Sequence, residues 1–244
     1  MSKITETDYQ EYSKLIEEGH SQRSACLILG LTRSTIQRYI KGVLEDEVSE
    51  GGEALSNKPR ILFYDIETTL AKSYHFGQFK QYLGVKQQIQ EGHLLSHSWA
   101  WNDGDVIGSI LTREEILDHD PERLVLEAWA LFDNADIIVA HYGKKFDIPK
   151  MNGYFLKYGL QPPSPFKVVD TKEISSKKFL LPFNSLEYLA KALGVQQKID
   201  NSGIQLWIDC DHGKQESLDE MLAYNIGDVE ALRDVYNRLI TWDN

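Results

Sequence analysis

Arg60-Ile61-Leu62-Phe63-Tyr64-Asp65-Ile66-Glu67-Thr68-Thr69 is the stretch whose reading decides the fold. Four apolar residues in succession, led in by Pro59, read as a strand buried on both faces and therefore central in a sheet. Strand side chains alternate, so Asp65 and Glu67 project from the same face, roughly 7 Å apart. Two carboxylates at the end of an apolar strand raise each other's pKa and cost desolvation energy unless a cation sits between them. A hard divalent metal meets that need, because it takes carboxylate oxygen in preference to nitrogen or sulfur. The competing reading is a strand that runs into a solvated acidic turn.

Upstream, residues 45–57 are acidic, contain a Gly pair and lack periodicity, as expected of a self-repelling linker. Residues 1–44 read as a small helical domain. A first helix over 8–19 carries Tyr9, Tyr12, Leu15 and Ile16 and closes at Gly19; a second follows Ser21 and ends at Gly30. Thr32 caps a third, with Gly42 behind it. This pattern resembles a helix-turn-helix, with Arg33, Ser34, Thr35, Gln37 and Arg38 where a recognition helix meets the major groove and Cys26 in a slot usually held by alanine. From His20 to Leu44 there are four Lys or Arg residues and no acid, which supports nucleic-acid contact. A three-helix packing module or protein-docking surface is the alternative.

Downstream, residues 58–244 read as one α/β domain. Residues 70–92 form a polar and aromatic excursion, a lid or substrate-facing segment with Tyr74, His75, Phe76 and Tyr82; His75 and His93 read as ordinary histidines. Strands are expected over 94–101 and 106–111 around an Asn102–Asp105 turn, then over 136–141 and 166–170. Helices are expected from Pro121 to Phe132, after Asp147, from a Ser185 cap to Gly194, and from near Ser217 onward, with Ser217 and Glu220 as a capping box. Asp209-Cys210-Asp211-His212 reads as a turn after a short strand, and Asp170 as a structural acid. Strands followed by alternating helices and strands indicate a mixed sheet flanked by helices.

A net charge of −11 is a poor match to a protein that coats nucleic acid non-specifically, so contacts must use local basic patches. One such patch runs from His141 to Leu180, with eight lysines against Asp147, Asp170 and Glu173; a solvated lysine face is the alternative. Two cysteines, Cys26 and Cys210, argue against disulfides and a cysteine zinc site. No apolar run approaches membrane-spanning length, and the N-terminus lacks a signal-peptide core, so a cytoplasmic protein without membrane partners is expected.

Asp65-Ile66-Glu67, Phe146-Asp147 and Tyr224-Asn225-Ile226-Gly227-Asp228 together resemble the three motifs of the DEDD superfamily of proofreading-type 3′–5′ exonucleases, tyrosine subgroup. The resemblance implies a ribonuclease-H-like fold in which Asp65, Glu67, Asp147 and Asp228 hold two Mg²⁺ or Mn²⁺ ions. It further implies that Tyr224 orients the attacking water, that Glu67 meets the 3′-terminal hydroxyl, and that Thr68, Tyr142, Lys144 and Lys145 contact nucleic acid. His141-Tyr142-Gly143 departs from the family's Asn before Phe-Asp, which bears on substrate geometry more than on chemistry. The expected activity is hydrolysis at nucleic-acid 3′ ends, DNA before RNA, with a replication or repair protein as a further partner. The alternative is a DNA-binding regulatory or replisome adaptor protein whose nuclease fold is inactive or RNA-directed.

Overall fold

The computed structural model describes residues 5–17, 25, 28–31, 36, 59–77, 82–195 and 202–243. The chain divides into two compact units, Met1–Lys58 and Pro59–Asn244. In the first, helix α1 (Glu6–Glu17) contributes Tyr12 to a small core with Ala25 and Ile36. Gly30 takes a left-handed φ of 64°, as a helix-ending glycine does. Gly19, Ser21, Cys26, Thr32, Gly42, the contact residues Arg33, Ser34, Thr35, Gln37 and Arg38, and the linker 45–57 lie outside the described residues.

In the second unit the Asp65 stretch is strand β1 (Ile61–Thr68). It is followed by β2 (Lys72–Ser73), β3 (Gln88–Gln90), β4 (Leu94–Trp101), β5 (Ile107–Ile110), β6 (Ile137–Ala140) and β7 (Lys167–Asp170). The main sheet runs β5-β4-β1-β6-β7, with β1 at its centre as its apolar run requires; β2 and β3 form a separate ribbon. β1 pairs antiparallel with β4 and parallel with β6, so the sheet is mixed. The β4–β5 turn is pinned to the start of β1, where Asn102 Oδ1 accepts from the Ile61 amide at 3.1 Å.

Parity along β1 sorts its side chains. Leu62, Tyr64 and Ile66 enter a core with Leu124, Val125 and Phe132 of α3 (Glu122–Asp133) and Met151 and Phe155 of α4 (Asp147–Lys157). Phe63 enters the opposite core with Leu189 of α6 (Leu186–Leu193) and Val229, Leu232 and Val235 of α8 (Gln215–Leu239). Asp65 and Glu67 share Phe63's parity, so they face the side that α8 covers.

Some local expectations are corrected. α2 (Arg113–Leu117), closed by a Thr112–Glu115 capping box, and α5 (Thr171–Lys178) are helices the periodicity does not announce, being too short to repeat an apolar face. Residues expected to form a short strand and a turn are instead helix α7 (Ile204–Asp211), with Leu206 and Cys210 buried four positions apart. A short stretch such as Ile204–Ile208, apolar but for Gln205, does not by length distinguish the two. The last helix begins at Gln215 without a side-chain cap. Glu220 accepts instead from the Ser202 hydroxyl at 2.7 Å. Ser185 and Gly194 do close α6 as expected, Gly194 at φ 63°.

Candidate metal centre

Asp65 and Glu67 leave β1 where its pairing with β4 shifts register, between Glu67 and Thr68. α8 brings Asp228 to them. One carboxylate oxygen from each of Asp65, Glu67 and Asp228 lies within 4.8 Å of the others. Asp228 is only 3% exposed. Three carboxylates gathered this closely form an all-oxygen donor set, which suits a hard divalent cation and lacks the nitrogen or sulfur a softer metal prefers.

The approach of α8 is made possible by glycine. A Cβ on Gly108 of β5 would stand 2.7 Å from Leu222, 2.8 Å from Ile226 and 2.8 Å from the Ser98 hydroxyl. Its absence lets the helix settle against the sheet, and Asn225 then reaches into it. The Asn225 amide nitrogen donates to Asp65 Oδ2 at 2.7 Å across 160 positions of sequence. Its carbonyl oxygen accepts from the hydroxyls of Ser96 (3.1 Å) and Ser98 (3.0 Å) on β4. Ser98 and Ser96 sit opposite Asp65 and Glu67 in the β1–β4 register. Asn225 therefore fixes one Asp65 oxygen from a fully buried position. Sequence reasoning quoted Asn225 within a motif but gave it no role. The available signal was its spacing, three residues before Asp228 on one helix face.

Asp147, the first residue of α4, is 3% exposed and lies outside the group of three. Burial pushes its carboxyl up to about 7, against hydrogen bonds from its own amide and from that of Ile66, while the charge of Asp170 adds to the rise. The Ile66 bond ties Asp147 to β1 between the two carboxylates of the strand. A buried acid held so high gains from a nearby cation, which favours its charged form.

The loop before α4 is shaped by Asp170. Its carboxylate caps α5 and also accepts from the Tyr142 amide at 3.0 Å and the Lys144 amide at 3.2 Å. That holds Tyr142 at φ 68°, left-handed and uncommon for a non-glycine residue. His141 donates from Nε2 to the Asn184 carbonyl at 3.0 Å, so its Nδ1 accepts from Thr171 at 2.9 Å in the neutral ring. The residue at the departure from the family motif thus braces the fold.

Of the expected nucleic-acid contacts, Tyr142 is exposed, with Lys172 at 4.1 Å and Lys145 at 5.9 Å from its ring centre. Lys144 pairs with Glu173 at 2.5 Å, and Lys177 pairs with the same carboxylate; these two bonds hold Glu173 down at about 2. Part of the lysine band is thereby neutralised. Thr68 lines a cavity of about 490 Å³ with Thr69, Ala71, Lys150 and Trp207. Tyr224 is buried one turn before Asp228, its ring 6.0 Å from that of Trp207 in an edge-on contact. The Asp209–His212 cluster holds no converging ligands. Asp209 binds Lys214 at 2.7 Å, Asp211 binds Lys72 at 2.5 Å, and burial pushes the Cys210 thiol up to about 12.

A model of the RNase_H superfamily, RNase_H_2, matches residues 89–240. The chain belongs to the RNase H superfamily. The matched stretch contains Asp147 and Asp228 and begins after β1. Solved structures share this RNase H-like fold, among them the family B DNA polymerase from the hyperthermophilic archaeon Pyrobaculum calidifontis. The match has a TM-score of 0.57 and 14% identity, covering 77% of this chain and 25% of the polymerase. At that identity the likeness is one of fold, and the chain spans about a quarter of the polymerase's length. No curated protein matches the sequence. Among the described residues, no helix is long and apolar enough to cross a membrane.

Proposed function

We propose that this RNase H superfamily chain is a metal-dependent 3′–5′ exonuclease that hydrolyses phosphodiester bonds at nucleic-acid 3′ ends, DNA before RNA. The observation that carries the reading is the meeting of Asp65, Glu67 and Asp228 within 4.8 Å on a rigid strand–helix frame. Asp65, Glu67, Asp228 and, across the Ile66 amide, Asp147 are the residues that would hold a pair of Mg²⁺ or Mn²⁺ ions. Bound there, such ions supply Lewis acidity at both the attacking and leaving oxygens of an in-line displacement.

The side chains have separable tasks. Asn225 holds Asp65 in one orientation through Oδ2. Glu67, at the register shift, is placed to meet the terminal 3′ hydroxyl. Tyr224 orients the attacking water by a hydrogen bond, since a neutral phenol is a poor base. Thr68 and the cavity beside it accept the terminal nucleotide, and Lys145 and Lys172 at Tyr142 face the phosphates that follow. The helix-turn-helix pattern of residues 21–42 recruits the protein to duplex DNA.

A 5′-labelled single strand incubated with Mn²⁺ is expected to shorten stepwise from its 3′ end, and EDTA to stop it. Internal cuts or shortening from the 5′ end would overturn the direction. Intact DNA and RNA after incubation would overturn the nuclease reading and favour a binding role.

A further inference from the structure

Between Leu70 and Gln90 the sequence has three lysines and no Asp or Glu, in a chain of net charge −11. The described part of this segment projects from the end of β1 as a ribbon. β2 pairs with β3, the Tyr74 amide donates to the Gln87 carbonyl at 2.8 Å, and Gln87 Nε2 donates to the Tyr74 carbonyl at 3.1 Å. At its base, Lys72 is tied to the buried Asp211 at 2.5 Å, which anchors the ribbon on α7. Leu70 and Ala71 line the cavity that Thr68 and Trp207 also border. The ribbon thus shares a cavity with Thr68, the residue that follows Glu67.

The aromatic residues described on it face outward. Tyr74 is 75% exposed, Phe76 105% and Tyr82 96%. Val85 and Ile89 are exposed beside them, and so is Lys86. Soluble proteins rarely leave such a cluster of large apolar side chains in water without a partner. None of these rings lies in a core: the described ribbon is held by backbone hydrogen bonds, by Gln87 and by the Lys72–Asp211 ion pair. Exposed aromatic faces with Lys86 on the same ribbon, in a segment whose sequence carries no carboxylate, fit bases that are unstacked and followed by a phosphate backbone. The first acid beyond the ribbon, Glu91, is already paired with Lys157 at 3.4 Å, so a basic protein partner finds no carboxylate within the ribbon itself.

We infer that the paired segments 70–77 and 82–90 form a base-stacking arm that grips the single-stranded part of the substrate strand leading to the carboxylate centre, through Tyr74, Phe76 and Tyr82. The inference rests on the proposed nuclease reading for its occupant. Its test is a binding measurement that needs no hydrolysis.

The affinity of the full chain for a fluorescein-labelled 20-residue oligo-dT, and for the matching oligo-rU, is measured by anisotropy in EDTA. The triple variant Tyr74→Ala, Phe76→Ala, Tyr82→Ala is expected to bind both on the order of tenfold to a hundredfold more weakly. Replacing the same three residues with Trp should retain affinity and give fluorescence quenched by the oligonucleotide. Circular dichroism checks that each variant is folded. Undiminished affinity in a folded alanine variant, or no binding by the wild type, would overturn the arm. So would a change in oligomeric state with affinity unaltered, which would make the surface a protein interface. Equal losses on a blunt duplex would also contradict it, because paired bases offer no free faces. If the wild type cleaves nothing in Mn²⁺ while the alanine variant loses its grip on oligo-dT, the nuclease reading fails and the arm stands.

Discussion

The two faces of β1 are built from alternate residues of one strand and do opposite things. Leu62, Tyr64 and Ile66 meet a dry layer in which Phe132 touches the Tyr64 ring edge-on at 4.9 Å. Phe63, Asp65 and Glu67 meet α8, where the packing is apolar at Val229 and polar at Asn225 and Asp228. The apolar face fixes where the strand lies; the other face uses that rigidity to hold like charges together. Without the burial of Leu62 and Ile66, mutual repulsion of the carboxylates would be relieved by moving the strand.

The comparison breaks most visibly at the carboxylates. Asp228→Asn is expected to lower Mn²⁺-dependent hydrolysis by more than the roughly 10–100-fold that loss of an outer partner of a metal ligand causes, with little change in thermal stability. On the other face, Leu62→Ala should cost about 2–5 kcal/mol of unfolding free energy in a denaturant titration, while the folded fraction keeps its turnover. If both variants lost stability and activity in the same proportion, the division of labour between the faces would be wrong.

Asn225→Ala tests the seam between them. Activity should fall roughly 10–100-fold through a freed Asp65, and stability by about 1–3 kcal/mol, because the Ser96 and Ser98 hydroxyls lose their acceptor. Gly108→Val should act on the same seam from the β5 side. It would drive a side chain against Leu222 and Ile226 at a cost of about 1–3 kcal/mol, read as a lowered melting temperature.

These residues also mark where the sequence was legible. Composition and parity suffice to place β1, because four consecutive apolar residues read as a buried strand and an i, i+2 acid pair shares one of its faces; only the choice between a metal and a solvated turn stayed open. The ends of α6 were readable because Ser185 and Gly194 each satisfy a known terminal geometry. α7 was not, since a short apolar run carries no period. Asn225 was hidden because its partners come from a strand register that no local pattern encodes: Ser98 meets Asp65 only once β4 is paired with β1. Asp170 was read as structural, yet its hold on the Tyr142 and Lys144 amides depends on the β6–β7 pairing in the same way.

A smaller effect concerns pH. Burial, with His119 beside it, pushes His93 down to about 4 from 6.5, and burial also lowers His97 despite its bond to Glu127. Between these values the unfolded chain binds protons that the native His93 does not, so the contribution of His93 rises with pH and is lost on acidification from about 6.5 toward 4, while Asp147, held up to about 7, contributes in the opposite sense. For His93 the loss amounts to about 2–3 kcal/mol. That component should vanish in His93→Asn, read as the difference in melting temperature from wild type across that range.

The central claim is that Asp65, Glu67 and Asp228 hold a divalent cation together, and Mn²⁺ titration followed by electron paramagnetic resonance tests it most directly. The account predicts that wild-type protein captures Mn²⁺ and that Asp228→Asn, still folded, captures it more weakly. Wild-type protein that leaves all Mn²⁺ free, or a variant that binds it as tightly as wild type, would contradict it.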